Sequence, residues 1–250
     1  LVLLGHADEQ ATVGLMAPIV AGIFLGITGA LLVFDLKQPT RFYYLITKGN
    51  FTSWLVKGAY VLMAFAAVSG LWFIAGVVEA DGLIEVLAIP AALTGLATAG
   101  YTAFLFAQCE GRDLWQTPLL LPMLLARAVT AGAAAWLIAD VFMDVPEPDA
   151  IRWALLGGVS AVMVLSWMET VSHGSRHVEL AVHSMVKGEH GSLFWGGLTL
   201  GCALPFVLAI VALTGSGAVA LSALAGLAAL VGMFLSETAF VRAGQSVPLS

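Results

Sequence analysis

Residues 120–136 read LLPMLLARAVTAGAAAW, a run apolar throughout except for Arg127 and Thr130. Runs of about twenty residues with almost no charge recur along the whole chain, and each is long enough to cross roughly 30 Å of hydrocarbon as a helix. In this run the arginine falls well inside. A guanidinium at that depth costs at least a few kcal/mol unless it faces protein, water or a counter-ion. The stretch therefore implies two things together: a bilayer-spanning helix, and a partner for Arg127 supplied by other helices.

Composition extends this reading to the whole chain. Of 250 residues, 60% are hydrophobic and only 10% charged, and the mean hydropathy is +0.97, far above the balance of an ordinary soluble domain. Seven candidate spans follow, at about residues 12–34, 56–78, 83–107, 118–142, 151–170, 192–213 and 217–239. Turn or charge signals separate them: DLKQPTRFYYLITKGN, VEADG, QCEGRD, MDVPEPD and LTGSG. Pro118, Pro122 and Pro205 are expected near helix starts, where a missing N–H is tolerated. The fold class is an all-α membrane protein, a polytopic helical bundle forming a single transmembrane domain over residues 1–250. The opening LVLLGHADEQ reads at Leu1 to Gly5 as the tail of a helix whose beginning lies upstream. Stretches such as GIFLGITGA and GLAALVG carry glycines that let helix backbones approach, a packing signal.

Several function classes drop out. The net charge is −6 and no basic stripe exists, which argues against nucleic-acid binding. Cys109 and Cys202 are the two cysteines, so the chain cannot by itself supply the four thiolates of an iron-sulfur cluster or a structural zinc site. Dinucleotide, phosphate-loop and nucleophile-elbow patterns find no strand-turn-helix context. The loop SHGSRHVELAVHSMVKGEHG holds His173, His177, His183 and His190. Its interleaving of apolar residues with Glu179 and His183 reads as an interfacial amphipathic helix in preference to a bis-histidine haem or metal site.

If the spans alternate, one face carries Lys37, Arg41, Lys48, Arg112, Arg176, Lys187 and Arg242. The other has Arg152 alone among basic residues, beside Glu79, Asp81, Asp144, Glu147 and Asp149. The positive-inside rule makes the basic face, with the C-terminus, cytoplasmic. Arg127 then lies about nine residues, roughly 13 Å, from that face. Asp35, Tyr101, Gln108, Glu169 and Glu237 fall in the same half of the membrane. Such a set suggests a wet, polar pocket that binds a ligand or conducts protons. The alternatives are that Arg127 pairs with Glu169 or Glu237 only to fix helix packing, and that Asp35, Gln108 and Glu237 are interfacial ends.

Five stretches, VFDLKQPTRFYYL, FTSWLVKGAYVL, YTAFLFAQCEGRDLWQTPLL, GEHGSLFWGG and VRAGQSVPLS, taken in order and spacing, resemble the polysulfide reductase/NrfD-type membrane subunits of molybdopterin oxidoreductases. The resemblance implies an eight-helix bundle without haem, in two four-helix halves. Seven spans plus the helix tail at Leu1 to Gly5 match that count. It also implies a quinone, menaquinone or ubiquinone, held near a four-cluster ferredoxin-like iron-sulfur subunit that connects to a molybdopterin catalytic subunit. The host membrane would be the bacterial or archaeal inner membrane. Tyr101, in the YTAF stretch, carries over as a hydrogen-bond partner of a quinone carbonyl. The family's pocket also draws on its first helix, to which no position here corresponds. Burial and depth add Arg127, Glu169 and Asp35 as charge-stabilising and proton-relaying candidates, with Gln108 and Arg127 as further quinone contacts. A transporter or proton-conducting module and a purely structural anchor are the competing readings.

Overall fold

A computed structural model describes residues 1–34, 38–39, 42–171, 174–215 and 217–249. Asp35, Lys37, Arg41 and His173 of the sequence reading lie outside the described residues. Among those described, seven helices are long and apolar enough to cross a membrane. They are α1 (Gln10–Phe34), α3 (Trp54–Val77), α4 (Asp81–Ala107), α5 (Leu120–Ala139), α6 (Pro148–Val171), α8 (Gly191–Leu213) and α9 (Ala218–Ser246). Two short helices, α2 (Phe42–Thr47) and α7 (Arg176–Val186), lie between spans. The protein is a multi-pass helical membrane protein. Many large apolar side chains, among them Phe34, Val86, Ile89 and Phe234, point outward, as expected of surfaces that meet lipid rather than water.

The chain divides into two compact units, Leu1–Leu105 and Phe106–Ser250. In the first, α1 packs along α3, and Ala7, Val13, Ala75, Ile84 and Leu87 form a buried cluster with Trp72 against it. The first segment of α1, Gln10–Met16, is wound as a π-helix, and proline explains why. Ala17 N–H reaches back five residues to the Thr12 carbonyl, so the Val13 carbonyl would next need Pro18, which has no N–H. Trp72 supplies the missing donor, its Nε1 lying 2.9 Å from Val13 O. An indole on α3 thus repairs the ladder of α1.

The second unit is a ring of four spans in which α5 packs on α6, α6 on α8, α8 on α9 and α9 on α5. Glycine makes the α8–α9 contact. A Cβ on Gly232 would overlap the backbone of Gly201, and one on Gly197 would lie 2.6 Å from Ser236 N. Pro205 lies inside the span α8 but in the first turn of its α-helical segment Leu204–Leu213, where a missing N–H is tolerated. It is preceded by a second π turn, Thr199–Ala203, in which Leu204 N–H again reaches five residues back, to Thr199. The wider turn removes the clash that a proline ring makes in a regular helix.

Predicted and observed span limits differ by at most three residues (151 against 148, 142 against 139), except that α9 runs to Ser246 instead of 239. The extra turns are held by loop residues. The Trp115 ring lies where a Cβ on Gly244 would have to be. Arg112 Nη1 donates to the carbonyls of Gly244, Gln245 and Val247 at 3.1, 3.2 and 2.6 Å, placing a cation on the negative end of the helix. The amphipathic helix expected in the histidine loop is α7, with Ala181 and Met185 buried and Ser184 bonded to Ser246 at 3.2 Å.

Trp72→Phe should lower stability by about 1–3 kcal/mol, the cost of an orphaned buried carbonyl. In a Pro18→Ala background, where residue 18 regains an N–H, the same change should cost measurably less. Thermal unfolding of the four variants in detergent forms the double-mutant cycle that checks this.

Candidate functional site

The sequence-predicted polar groups occupy two places, one in each unit. In the first unit, Tyr101 is buried at 9% exposure on α4, six residues before the helix end and so roughly 9 Å inside it. Its ring lies against the backbone of α3 at Gly58, where any Cβ would overlap it. Near it on the same two helices, Trp54 and Phe104 stack at 4.2 Å, and Lys57 Nζ lies 4.3 Å from the centre of the Trp54 ring. The side of the tyrosine is therefore fixed by packing, which leaves its hydroxyl as the polar tip of the ring.

The second place is built around Arg127. It is buried at 8% exposure on α5, and α9 supplies its partners: Glu237 Oε1 at 3.4 Å and Ser236 Oγ at 3.5 Å. Ser236 in turn donates to the Met233 carbonyl at 3.0 Å, which leaves its lone pairs for the guanidinium. Glu169, on α6 and also 8% exposed, stands within electrostatic reach of Arg127, as does Cys202 on α8. All four helices of the unit thus contribute a group. One donor is left over, because Arg127 Nε is buried with no acceptor among the described residues.

Glu169 also forms part of the wall of a cavity of about 200 Å³, with Asp113, Gln116, Thr117, Pro118 and Val178. Its walls carry two carboxylates, Asp113 and Glu169, and the amide of Gln116. At its edge, Asp113 accepts a hydrogen bond from the Ser175 hydroxyl, and His177 Nδ1 lies 4.0 Å from the same carboxylate. Ser175 in turn caps α7 by accepting from Val178 N–H at 3.3 Å. The amphipathic helix is therefore pinned beside the cavity by its own N-terminus.

The structure brings Arg127, Glu169 and Glu237 together. Gln108 is exposed in the turn that follows α4. Asp35 lies outside the described residues. Sequence reasoning did not name Ser236, Asp113, Gln116 or Thr117. Asp113 closes the span break QCEGRD, Gln116 and Thr117 come in and just after the same short turn, Asp113–Gln116, and only the return of α6 beside that turn makes them a wall. Among the described residues, no three His, Cys, Asp or Glu side chains cluster as metal ligands would.

Arg127→Met should destabilise the protein by about 3 kcal/mol, because two carboxylates lose their cation while at least one stays buried. Glu237→Gln should cost under about 1 kcal/mol, since that side chain is 46% exposed and water can replace the pair. Equal shifts for the two variants in thermal unfolding would contradict this ranking.

Comparison with known proteins gives two findings. The family described as "Polysulphide reductase, NrfD" matches residues 5–248. The C subunit of polysulfide reductase from Wolinella succinogenes is 27% identical over 250 aligned positions, covering 88% of the present sequence and 77% of that protein.

Proposed function

The chain belongs to the polysulphide reductase NrfD family, and from that membership we propose that it is the quinone-reactive membrane subunit of a multi-subunit oxidoreductase. Its partners would be a four-cluster ferredoxin-like iron-sulfur subunit and a molybdopterin catalytic subunit, with the bacterial or archaeal inner membrane as host and the basic face turned to the cytoplasm. The observation that carries the chemistry is the buried Arg127, whose Nε has no acceptor among the described residues and whose neighbour Glu169 lines a polar cavity. A buried donor to spare suits an oxygen that gains negative charge.

A quinone supplies two-electron, two-proton chemistry, and everything else falls to the protein. In this reading Tyr101 donates its hydroxyl proton in a hydrogen bond to a quinone carbonyl and orients the head group. Gln108 is the further contact that depth suggests. Within the second unit, Arg127 offsets negative charge that develops during turnover, and its ion pair with Glu237 holds the guanidinium in place. Glu169 exchanges protons with water in the cavity that it shares with Asp113, Gln116 and Thr117. A carboxyl beside a fixed cation changes its proton occupancy as the local charge changes, which is what a relay needs. A proton-conducting module is the second reading, and the same cavity is what favours it.

With the intact complex in native membranes, Tyr101→Phe should reduce turnover with a quinol analogue by about tenfold, the worth of one hydrogen bond made at the reacting group. Assembly with the iron-sulfur subunit should be unchanged. Glu169→Gln should slow turnover without altering the apparent affinity for the quinol. Full activity in both variants, or proton flux in proteoliposomes with no quinol dependence, would overturn the quinone reading.

A further inference from the structure

A second cavity lies in the same unit as Arg127 but faces outward, between α6 and α8. It encloses about 290 Å³, and its walls are Met163, Trp167 and Thr170 of α6 with Trp195, Thr199 and Ala203 of α8. Trp167 and Trp195 are 65% and 53% exposed, so the groove opens where a spanning helix meets lipid. Ser166 also lines it, while its two threonines spend their hydroxyls internally. Thr170 Oγ1 donates to the Trp167 carbonyl at 2.7 Å, and Thr199 Oγ1 to the Trp195 carbonyl at 2.8 Å. What these residues offer an occupant is carbon. The lower wall coincides with the π turn Thr199–Ala203.

The occupant follows from where the groove stands. At the depth of two membrane spans, water and polar peptide are excluded, and a hydrocarbon chain remains. The volume holds about ten methylene-sized groups, each taking roughly the 30 Å³ that a water molecule occupies in the liquid. Trp167 and Trp195 each lie four residues inside the span ends that border residues 172–190, so both mark the head-group level there. Trp195 is also immobilised, because its Nε1 donates to the Val186 carbonyl at 3.0 Å.

Fit alone gives little preference for one lipid over another, since a chain leaving bulk lipid gains no hydrophobic burial. Preference must come from the head group. Directly after the carbonyl that holds Trp195 comes Lys187, at the C-cap of α7. The nearest acid in sequence, Glu189, lies 3.4 Å from His190 Nε2. We propose that the groove between α6 and α8 seats one acyl chain of an anionic phospholipid, whose phosphate is met by Lys187. One lysine at a membrane surface makes the anionic lipid bind about fivefold tighter than its zwitterionic counterpart.

The test uses the purified full complex in detergent, with native mass spectrometry for retained lipid and thermal unfolding with added phosphatidylglycerol or phosphatidylcholine. The wild type should retain one phosphatidylglycerol at this subunit, and phosphatidylglycerol should raise its Tm more than phosphatidylcholine does. Ala203→Trp, which fills the open groove without removing packing, and Trp195→Ala, which removes a wall, should both release it. Lys187→Gln should make the two lipids equivalent. Quinol turnover of Ala203→Trp should match wild type, which separates this site from the quinone chemistry. Equal response to both lipids in the wild type would overturn the proposal, as would retention unchanged by Ala203→Trp. Release of a quinone or a protein partner in place of the phospholipid would do the same.

Discussion

A guanidinium cannot rest in hydrocarbon without partners, and the second unit is arranged around that constraint. Arg127 on α5 draws Glu237 and Ser236 from α9 to within 3.4 and 3.5 Å, and Glu169 from α6 into its field. These contacts tie α5 to both α9 and α6, so an electrostatic requirement at one residue constrains the mutual rotation of three spans. Packing completes what charge begins. The α8–α9 interface is closed by glycine backbones at Gly197, Gly201 and Gly232, a contact available only where no side chain intervenes.

The second constraint is that every peptide group inside the bilayer must find its hydrogen bond within the protein. Proline violates it, and the fold answers in the same way twice. Upstream of Pro18 and of Pro205 the helix widens to a π turn. In the first case the carbonyl left over is taken by the Trp72 indole. At the last helix the difficulty is at the end rather than the middle. Arg112, from another loop, gathers three terminal carbonyls at once, and so carries the span seven residues past its apolar run.

These solutions bear on function. A bundle stiffened by small-residue contacts can keep a buried ion pair with a donor left over, and such preorganised charge is what redox chemistry at an oxygen uses. In the proposed reading the polar cavity beside Glu169 would be the proton exchange surface, and α7 is anchored at its rim through Ser175 and Asp113. Tyr101 follows a different principle. It is placed by a glycine, because only a residue without Cβ at position 58 leaves room for its ring.

The amino-acid sequence alone determined the class of the fold, the seven spans and the amphipathic helix at 176–186, because hydrophobic length and period survive any arrangement of neighbours. It also set the depth of Arg127, Glu169 and Glu237, since a helix rises by about 1.5 Å per residue whatever it packs against. Rotation about the helix axis is another matter. Whether Arg127 would meet Glu169 or Glu237 stayed open until α5, α6 and α9 were packed, and only then did Ser236, Asp113, Gln116 and Thr117 emerge as their neighbours. Pro205 shows the same division: the residue itself marks a helix start, but that a π turn joins it to the preceding helix as one continuous span is seen only in the fold. Depth is a property of one segment, whereas facing is a property of the bundle.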